Sequence, residues 1–254
     1  MKSLTSNPQL LVSQSRESVL KVEELTYAYP RQQPVLKNIS FNLNVGDRFA
    51  LMGATGSGKS TLLENIIGLK QPQQGQVWIR NIPVSHKTLL HIRRHIGFGF
   101  QDANDQLFMP TVIEDITFGP RNYGVPHAIA INKAQQLLID FGLESYAHSS
   151  VHELSGGQRR LAALAAILAL EPDILILDEP TTGLDPAWRR RLAHILLRLP
   201  IQAMLIASHD LNWLGKVTKK ALVMSGGSIF INADIEPLLK DSQTLERFNL
   251  PIGW

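Results

Sequence analysis

The stretch Gly53-Ala54-Thr55-Gly56-Ser57-Gly58-Lys59-Ser60-Thr61 concentrates the residue types that grip a phosphate. It fits the pattern G-x-x-x-x-G-K-[ST]. Its glycines let the backbone curl until several N–H groups point inward at an anion. A helix starting at its end adds the partial positive charge of a helix N-terminus. Lys59 is placed to reach the β- and γ-phosphates of a nucleotide, and the Ser60 hydroxyl to sit on Mg²⁺. Asp178 and Glu179 follow the apolar run Ile174-Leu175-Ile176-Leu177. A carboxylate ending a core strand opposite a phosphate loop can hold Mg²⁺ directly or through water, which is the expectation for Asp178. Glu179, one residue on, is placed to orient or deprotonate an attacking water. A third cluster, Leu154-Ser155-Gly156-Gly157-Gln158, has Ser155 and Gln158 at capping-box spacing. Its two glycines leave bare N–H groups at a helix end, which suits a phosphate. Because glycine disfavours helix, a purely structural cap has little use for two of them.

These residues need elements to position them. Phe49-Ala50-Leu51-Met52 reads as a buried strand entering the phosphate loop. Leu62, Leu63, Ile66 and Ile67 recur at helical spacing after it, with Gly68 as the stop. Ile174 to Leu177 and Ala203 to Ala207 are short apolar runs, the mark of central parallel strands. Leu20-Lys21-Val22, Ile39 to Leu43 and Gly75 to Asn81 read as strands of a small antiparallel sheet, with turns at Pro30 to Pro34 and Asn44 to Asp47. Leu89 to His95 reads as a short helix, and Ile96 to Phe100 as a strand ending at Gln101. From Asp102 to about Leu170 the pattern is helical: a capping box at Thr111 and Glu114, a helix over Ile131 to Phe141 stopped by Gly142, and an Ala- and Leu-rich helix to Leu170. Trp188 to Leu199 is an amphipathic helix, and Ala221 to Ile231 a hairpin turning at Ser225 to Ser228. Residues 1–17, rich in Ser, Gln and Asn, read as a weakly ordered tail before a single domain over 18–254, with a helical insertion at about 102–170.

Composition narrows the classes. With 44% hydrophobic and 19% charged residues in 254, the chain has the makeup of a globular domain with a substantial core. Absence of cysteine excludes disulfides, thiolate zinc sites and cysteine nucleophiles. No run reaches the roughly 18–20 apolar residues of a membrane-spanning helix, and the N-terminus lacks a secretory pattern. A net charge of +3 with both signs dispersed gives no nucleic-acid footprint, so no nucleic-acid partner is expected. Any membrane role is peripheral.

Taken together, the phosphate loop, Leu154 to Gln158, Asp178-Glu179, Gly183-Leu184-Asp185 and Ser208-His209 resemble ABC-type ATPases in order and spacing. The resemblance covers the chain after its tail. It implies an α/β fold with a P-loop NTPase (RecA-like) core of mostly parallel sheet, an N-terminal antiparallel β subdomain and a helical insertion. It implies ATP and Mg²⁺ as cofactors, and two nucleotide-binding domains facing head to tail. Each ATP would then lie between one phosphate loop and the partner's Ser155-Gly156-Gly157-Gln158. By the same resemblance Tyr29 stacks on adenine, with Tyr27 the competing choice. Gln101 senses Mg²⁺ and couples to a transport partner, Asp185 links the two composite sites, and His209 is the switch histidine near the γ-phosphate. Ala54 stands where the family frequently has proline, and Ile231-Asn232-Ala233-Asp234 lacks a frequent glycine.

A narrower resemblance lies in Asp102-Ala103-Asn104-Asp105-Gln106-Leu107-Phe108, Pro110 to Ile116 and Phe118-Gly119-Pro120, which look like the energy-coupling-factor branch. That branch imports cobalt, nickel or vitamins. The chain's end at Trp254 leans toward the metal-ion type. The resemblance implies an integral membrane subunit docked on the helical insertion, with Phe108, Met109 and Val112 lining the groove, and a location at the cytoplasmic face of the inner membrane. The alternative is a soluble ABC ATPase assisting assembly, of the iron–sulfur cluster scaffold type. His91 and His95, four apart, have metal-ligand spacing but read as a surface helix. Arg189-Arg190-Arg191 reads as a solvated helix face, or as a contact with acidic lipid or a partner, not a DNA patch.

Overall fold

The computed structural model describes residues 17–250. The expected tail, apart from Glu17, and Trp254 lie outside the described residues. In chain order the strands are β1 (Ser18–Ala28), β2 (Pro34–Asn44), β3 (Arg48–Met52), β4 (Gln74–Ile79), β5 (Ile82–Pro83), β6 (Ile96–Gly99), β7 (Ile174–Asp178), β8 (Ala203–Ala207), β9 (Lys220–Ser225) and β10 (Ser228–Asp234). One sheet runs β2-β1-β4-β5, antiparallel throughout. The other runs β10-β9-β3-β8-β7-β6. Its strands are parallel except β10, which folds back on β9 at the edge.

The continuous apolar runs of β3, β7 and β8 arise because both faces of the large sheet are covered. Side chains alternate across a strand, so Phe49 and Leu51 face one way and Ala50 and Met52 the other. Phe49, Leu51, Ile174, Ile176 and Leu205 join a core shared with β1 and β2. Ala50, Met52, Leu175, Leu177 and Met204 join a second core on the opposite side.

The helices are α1 (Lys59–Ile66), α2 (Leu89–Ile92), α3 (Val112–Asn122), α4 (His127–Asp140), α5 (Gly156–Leu168), α6 (Pro186–Arg198), α7 (Leu211–Val217), α8 (Ile235–Lys240) and α9 (Ser242–Arg247). Helix α1 packs Leu62, Leu63 and Ile66 into the first core. Helices α3 and α4 pack with α5, which feeds the second core through Leu161, Leu164 and Leu168. The capping box of α3 forms, with the Thr111 N–H donating to Glu114 Oε2 at 3.0 Å.

Some boundaries differ from the sequence expectation. Strand β2 begins at Pro34, inside the expected turn, and α4 begins at His127 behind Pro126. Helices α7, α8 and α9 have no counterpart in the sequence reading. Each is under eight residues, too short for a clear 3.6-residue period, and is held by anchors such as Leu214, Leu238 and Leu245 in the second core.

Candidate nucleotide site

Parallel register gathers the chemistry at one edge of the sheet. Leu51 and Asp178 both pair with Ala207, and Gly99 pairs with Leu177. The phosphate loop, Asp178-Glu179, Ser208-His209 and Gln101 therefore leave neighbouring strands at their carboxyl ends, where open α/β sheets bind ligands.

The loop owes its shape to glycine at its last turn. Gly58, which precedes α1, has φ 104°, and a Cβ there would lie 3.0 Å from Leu36 Cδ2 and 3.2 Å from the Val35 carbonyl oxygen. Thr55, Gly56 and Ser60 are exposed at the mouth of the loop, while Lys59 is buried. Lys59 Nζ donates to the carbonyl oxygens of Gly53 (2.8 Å) and Ala54 (3.2 Å) and lies 3.4 Å from His209 Nε2. Burial pushes the ammonium pKa down, and the nearby Glu179 and Asp178 carboxylates oppose that shift.

Asp178 is buried, and burial raises its carboxyl above the usual range although a hydrogen bond from Ser60 pulls it back. Its Oδ1 has no hydrogen-bond partner among the described residues. A buried, unpaired carboxylate oxygen beside a serine hydroxyl is a hard-oxygen donor set of the kind a small divalent cation takes. These residues fit Mg²⁺.

Glu179 adopts φ 45°, a left-handed conformation that costs a non-glycine residue about 1–3 kcal/mol. Its N–H donates to the Ala207 carbonyl at 2.8 Å, which holds the backbone in place. Glu179 Oε2 accepts from the His209 backbone N–H at 3.2 Å, and Oε1 lies 3.3 Å from His209 Nε2. Oε1 makes no hydrogen bond of good geometry and is buried away from solvent.

With this geometry in place, the comparisons decide the family. Residues 36–182 match the ABC transporter family. The chain belongs to that family. It is 35% identical over 236 residues to the energy-coupling factor transporter ATP-binding protein EcfA of Methanocaldococcus jannaschii, covering 91% of this chain and 85% of that one. The structure of cbiO1 from Clostridium perfringens, part of the ABC transporter complex cbiONQ, superposes with a TM-score of 0.80 at 32% identity, over 93% of this chain and 96% of that one. A dimeric ATP-binding cassette in a post-hydrolysis state, bound to ADP and Pi, gives a TM-score of 0.77 at 28% identity, over 85% of this chain and 99% of that one. The protein is an ABC ATPase, the ATP-hydrolysing subunit of a transporter, with the P-loop fold the sequence pointed to.

Ser155 to Gln158 and Asp185 of this ABC ATPase stand apart from that edge. Among the described residues no hydrogen bond joins Ser155 to Gln158, or Asp185, to the phosphate loop. Ser155 caps α5: its N–H donates to Gln158 Oε1 (2.8 Å), and its Oγ accepts from the Gln158 N–H (3.4 Å). Gly156 is exposed with open space around it. The two glycines differ in their surroundings. Gly157 is buried, and the Trp188 indole occupies the place a Cβ would take, so that glycine also answers a packing demand. Asp185 Oδ1 caps α6, accepting from the N–H groups of Ala187 (2.8 Å) and Trp188 (2.9 Å).

Tyr29 rather than Tyr27 faces the nucleotide loop. Its hydroxyl lies 3.2 Å from Thr61 Oγ1, and Lys70 Nζ sits 5.1 Å from its ring centroid. Tyr27 is in the first core and meets Tyr29 edge to face at 5.2 Å. Gln101 is exposed just beyond β6. His95 Nδ1 is 2.6 Å from Asp173 Oδ2, an ion-pair geometry that accounts for it without a metal, and His91 packs edge-on against it.

Two further expectations fail. Val112 is fully buried and cannot line a docking groove. The exposed aromatic beside Phe108 is Phe118, with ring centroids 4.8 Å apart. The three arginines are not simply a solvated face. Arg189 pairs with Asp210 at 2.9 Å, and Arg191 Nη2 donates to the Phe141 carbonyl at 2.5 Å. Arg160, which the sequence reading passed over, donates from Nη1 to Phe100 O (2.8 Å) and from Nη2 to Gln101 O (2.6 Å). An arginine on a helix face carries no local signal of such long-range bonds.

Proposed function

We propose that this chain is the energy-coupling subunit of a membrane import system for a transition-metal ion, cobalt or nickel, or for a vitamin. Two copies, or this chain and a close relative, would close on two ATP·Mg²⁺, each held by the loop of one chain and Ser155 to Gln158 of the other. The loop amides and Lys59 hold phosphates, Tyr29 stacks on adenine, and Ser60, Asp178 and Gln101 hold Mg²⁺, which neutralises charge on the phosphates. Glu179 positions and deprotonates the attacking water. His209, touching both Glu179 and Lys59, meets the charge developing on the γ-phosphate. Asp185 links the two sites. Positioning and charge stabilisation make up most of phosphoryl-transfer catalysis.

The observation that carries the importer reading is the aromatic shelf on the helical insertion. Asp115 is buried, and its Oδ1 accepts from the N–H groups of both Phe108 and Met109 at 3.0 Å. That carboxylate braces the segment so that Phe108, 64% exposed, stands out beside Phe118. An exposed aromatic pair on a rigid support suits a helix of an integral membrane subunit. No helix among the described residues is long and apolar enough to cross a membrane; a peripheral place at the cytoplasmic face is part of the same proposal. The test is affinity purification of the chain from gently solubilised membranes. Co-purification of a polytopic membrane protein, lost with Phe108→Ala/Phe118→Ala, is the expected result. A chain that stays with soluble assembly partners instead refutes the importer reading in favour of the assembly ATPase.

A further inference from the structure

Arg160 joins the helical insertion to the catalytic edge. It lies in the second turn of α5, beyond the cap at Ser155, and its guanidinium spans two consecutive carbonyls, those of Phe100 and Gln101. The planar fork of arginine matches such a pair, and a charged donor makes each bond stronger than a neutral one. Two further bonds reinforce the contact. Arg159 Nη1 donates to Asn104 Oδ1 at 2.7 Å, and Gln106 Nε2 donates to the Ala163 carbonyl at 3.1 Å. Residues 100–106 are thus fastened to α5 by three side chains.

The position of this fastening matters. Beyond β6 the sheet offers no partner for the Phe100 and Gln101 carbonyls, and the helical insertion supplies one. A cavity of about 20 Å³, room for a single water, has Arg160, Phe100, Gln106, Asp178 and Pro180 in its lining. Arg160 and Asp178, the carboxylate that fits the metal, thus line one cavity. We propose that Arg160 is a positioning residue that makes Gln101 and the Ser155–Gln158 helix end travel as one unit. Movement of the insertion then carries Gln101 toward the metal and Ser155 toward the facing phosphates together. This rests on the reading of Gln101 given under the proposed function.

The test is a double-mutant cycle on the full chain, with Arg160→Ala, Arg160→Lys, Gln101→Ala and Arg160→Ala/Gln101→Ala. Equilibrium ATP·Mg²⁺ affinity is measured beside steady-state kcat and KM. Arg160→Ala is expected to lower kcat by about tenfold or more while ATP affinity changes by less than about twofold. Arg160→Lys, which keeps the charge but not the fork, should recover part of the loss. The double variant should turn over no more slowly than Gln101→Ala, because both substitutions remove one function. Wild-type kcat in Arg160→Ala, or losses that multiply in the double variant, overturns the proposal. Reduced kcat in Gln101→Ala beside wild-type kcat in Arg160→Ala refutes the fastening and leaves the Gln101 reading standing. Wild-type kcat in Gln101→Ala refutes that reading and the proposal with it. If Arg160→Ala does not fold, Arg160→Lys takes its place in the cycle, with the same multiplication of losses overturning the claim.

Discussion

Glu179 and His209 touch twice: through Oε1 and the ring Nε2 at 3.3 Å, and through Oε2 and the backbone N–H at 3.2 Å. The carboxylate is thereby fixed by the strand next door, on a backbone already held at φ 45°. A carboxylate held this rigidly, if it is the proposed base, should be separable from binding. Glu179→Gln is expected to keep ATP affinity within about twofold and to lower kcat by about 100-fold or more. Ordinary steady-state turnover in this variant would remove Glu179 from the role of base.

Gly156 and Gly157 differ although they are neighbours. Gly157→Ala drives a methyl group into the Trp188 indole and should cost about 1–3 kcal/mol in urea unfolding. Gly156→Ala meets open space and should leave stability within about 1 kcal/mol, while lowering ATPase activity if bare N–H groups there meet a partner's nucleotide. Equal stability losses in the two variants would contradict the packing argument.

Asp185 caps α6 through two backbone N–H groups. Asp185→Ala should therefore destabilise the isolated chain by about 1 kcal/mol, and Asp185→Asn by less, read as shifts in the urea midpoint. An unchanged midpoint for Asp185→Ala would show that the cap contributes nothing.

Asp173 makes a pH-dependent contribution. Burial raises its pKa, but hydrogen bonds and charge from His95 and Arg80 outweigh burial and leave the carboxyl below its usual value. A lowered folded pKa stabilises the protein above the unfolded value of about 3.9, and that stabilisation is lost as pH falls through the folded pKa. Asp173→Asn should thus be less stable than wild type at neutral pH, with the gap narrowing below about pH 3.9. Urea melts over a pH series check this, and a gap independent of pH would refute it.

If each ATP lies between two chains, hydrolysis per chain depends on concentration. Specific activity of the purified chain should rise with protein concentration and level off as the dimer fills. Constant specific activity down to clearly monomeric protein would count against the shared site.

The phosphate loop, Asp178-Glu179 and the parallel strands were legible because each depends on local chemistry. A glycine loop between an apolar strand and a helix has few other uses, and strands buried on both faces read as apolar runs. The capping box at Ser155 was equally local, whereas the cap by Asp185 emerged only from the structure. Other features were set by residues far apart in the chain. Gly157 answers to Trp188, His95 to Asp173, and Arg160 to the backbone of Phe100 and Gln101. Val112 was expected to line a groove and is buried instead, because only packing against the second core settles which face of α3 turns inward. The sequence alone determined which groups are candidates for phosphate and metal and in which element each sits. Tertiary structure decided which neighbours hold them, because a side chain's partner across 50 or more residues depends on where strands and helices bring the chain back, and no local pattern encodes that.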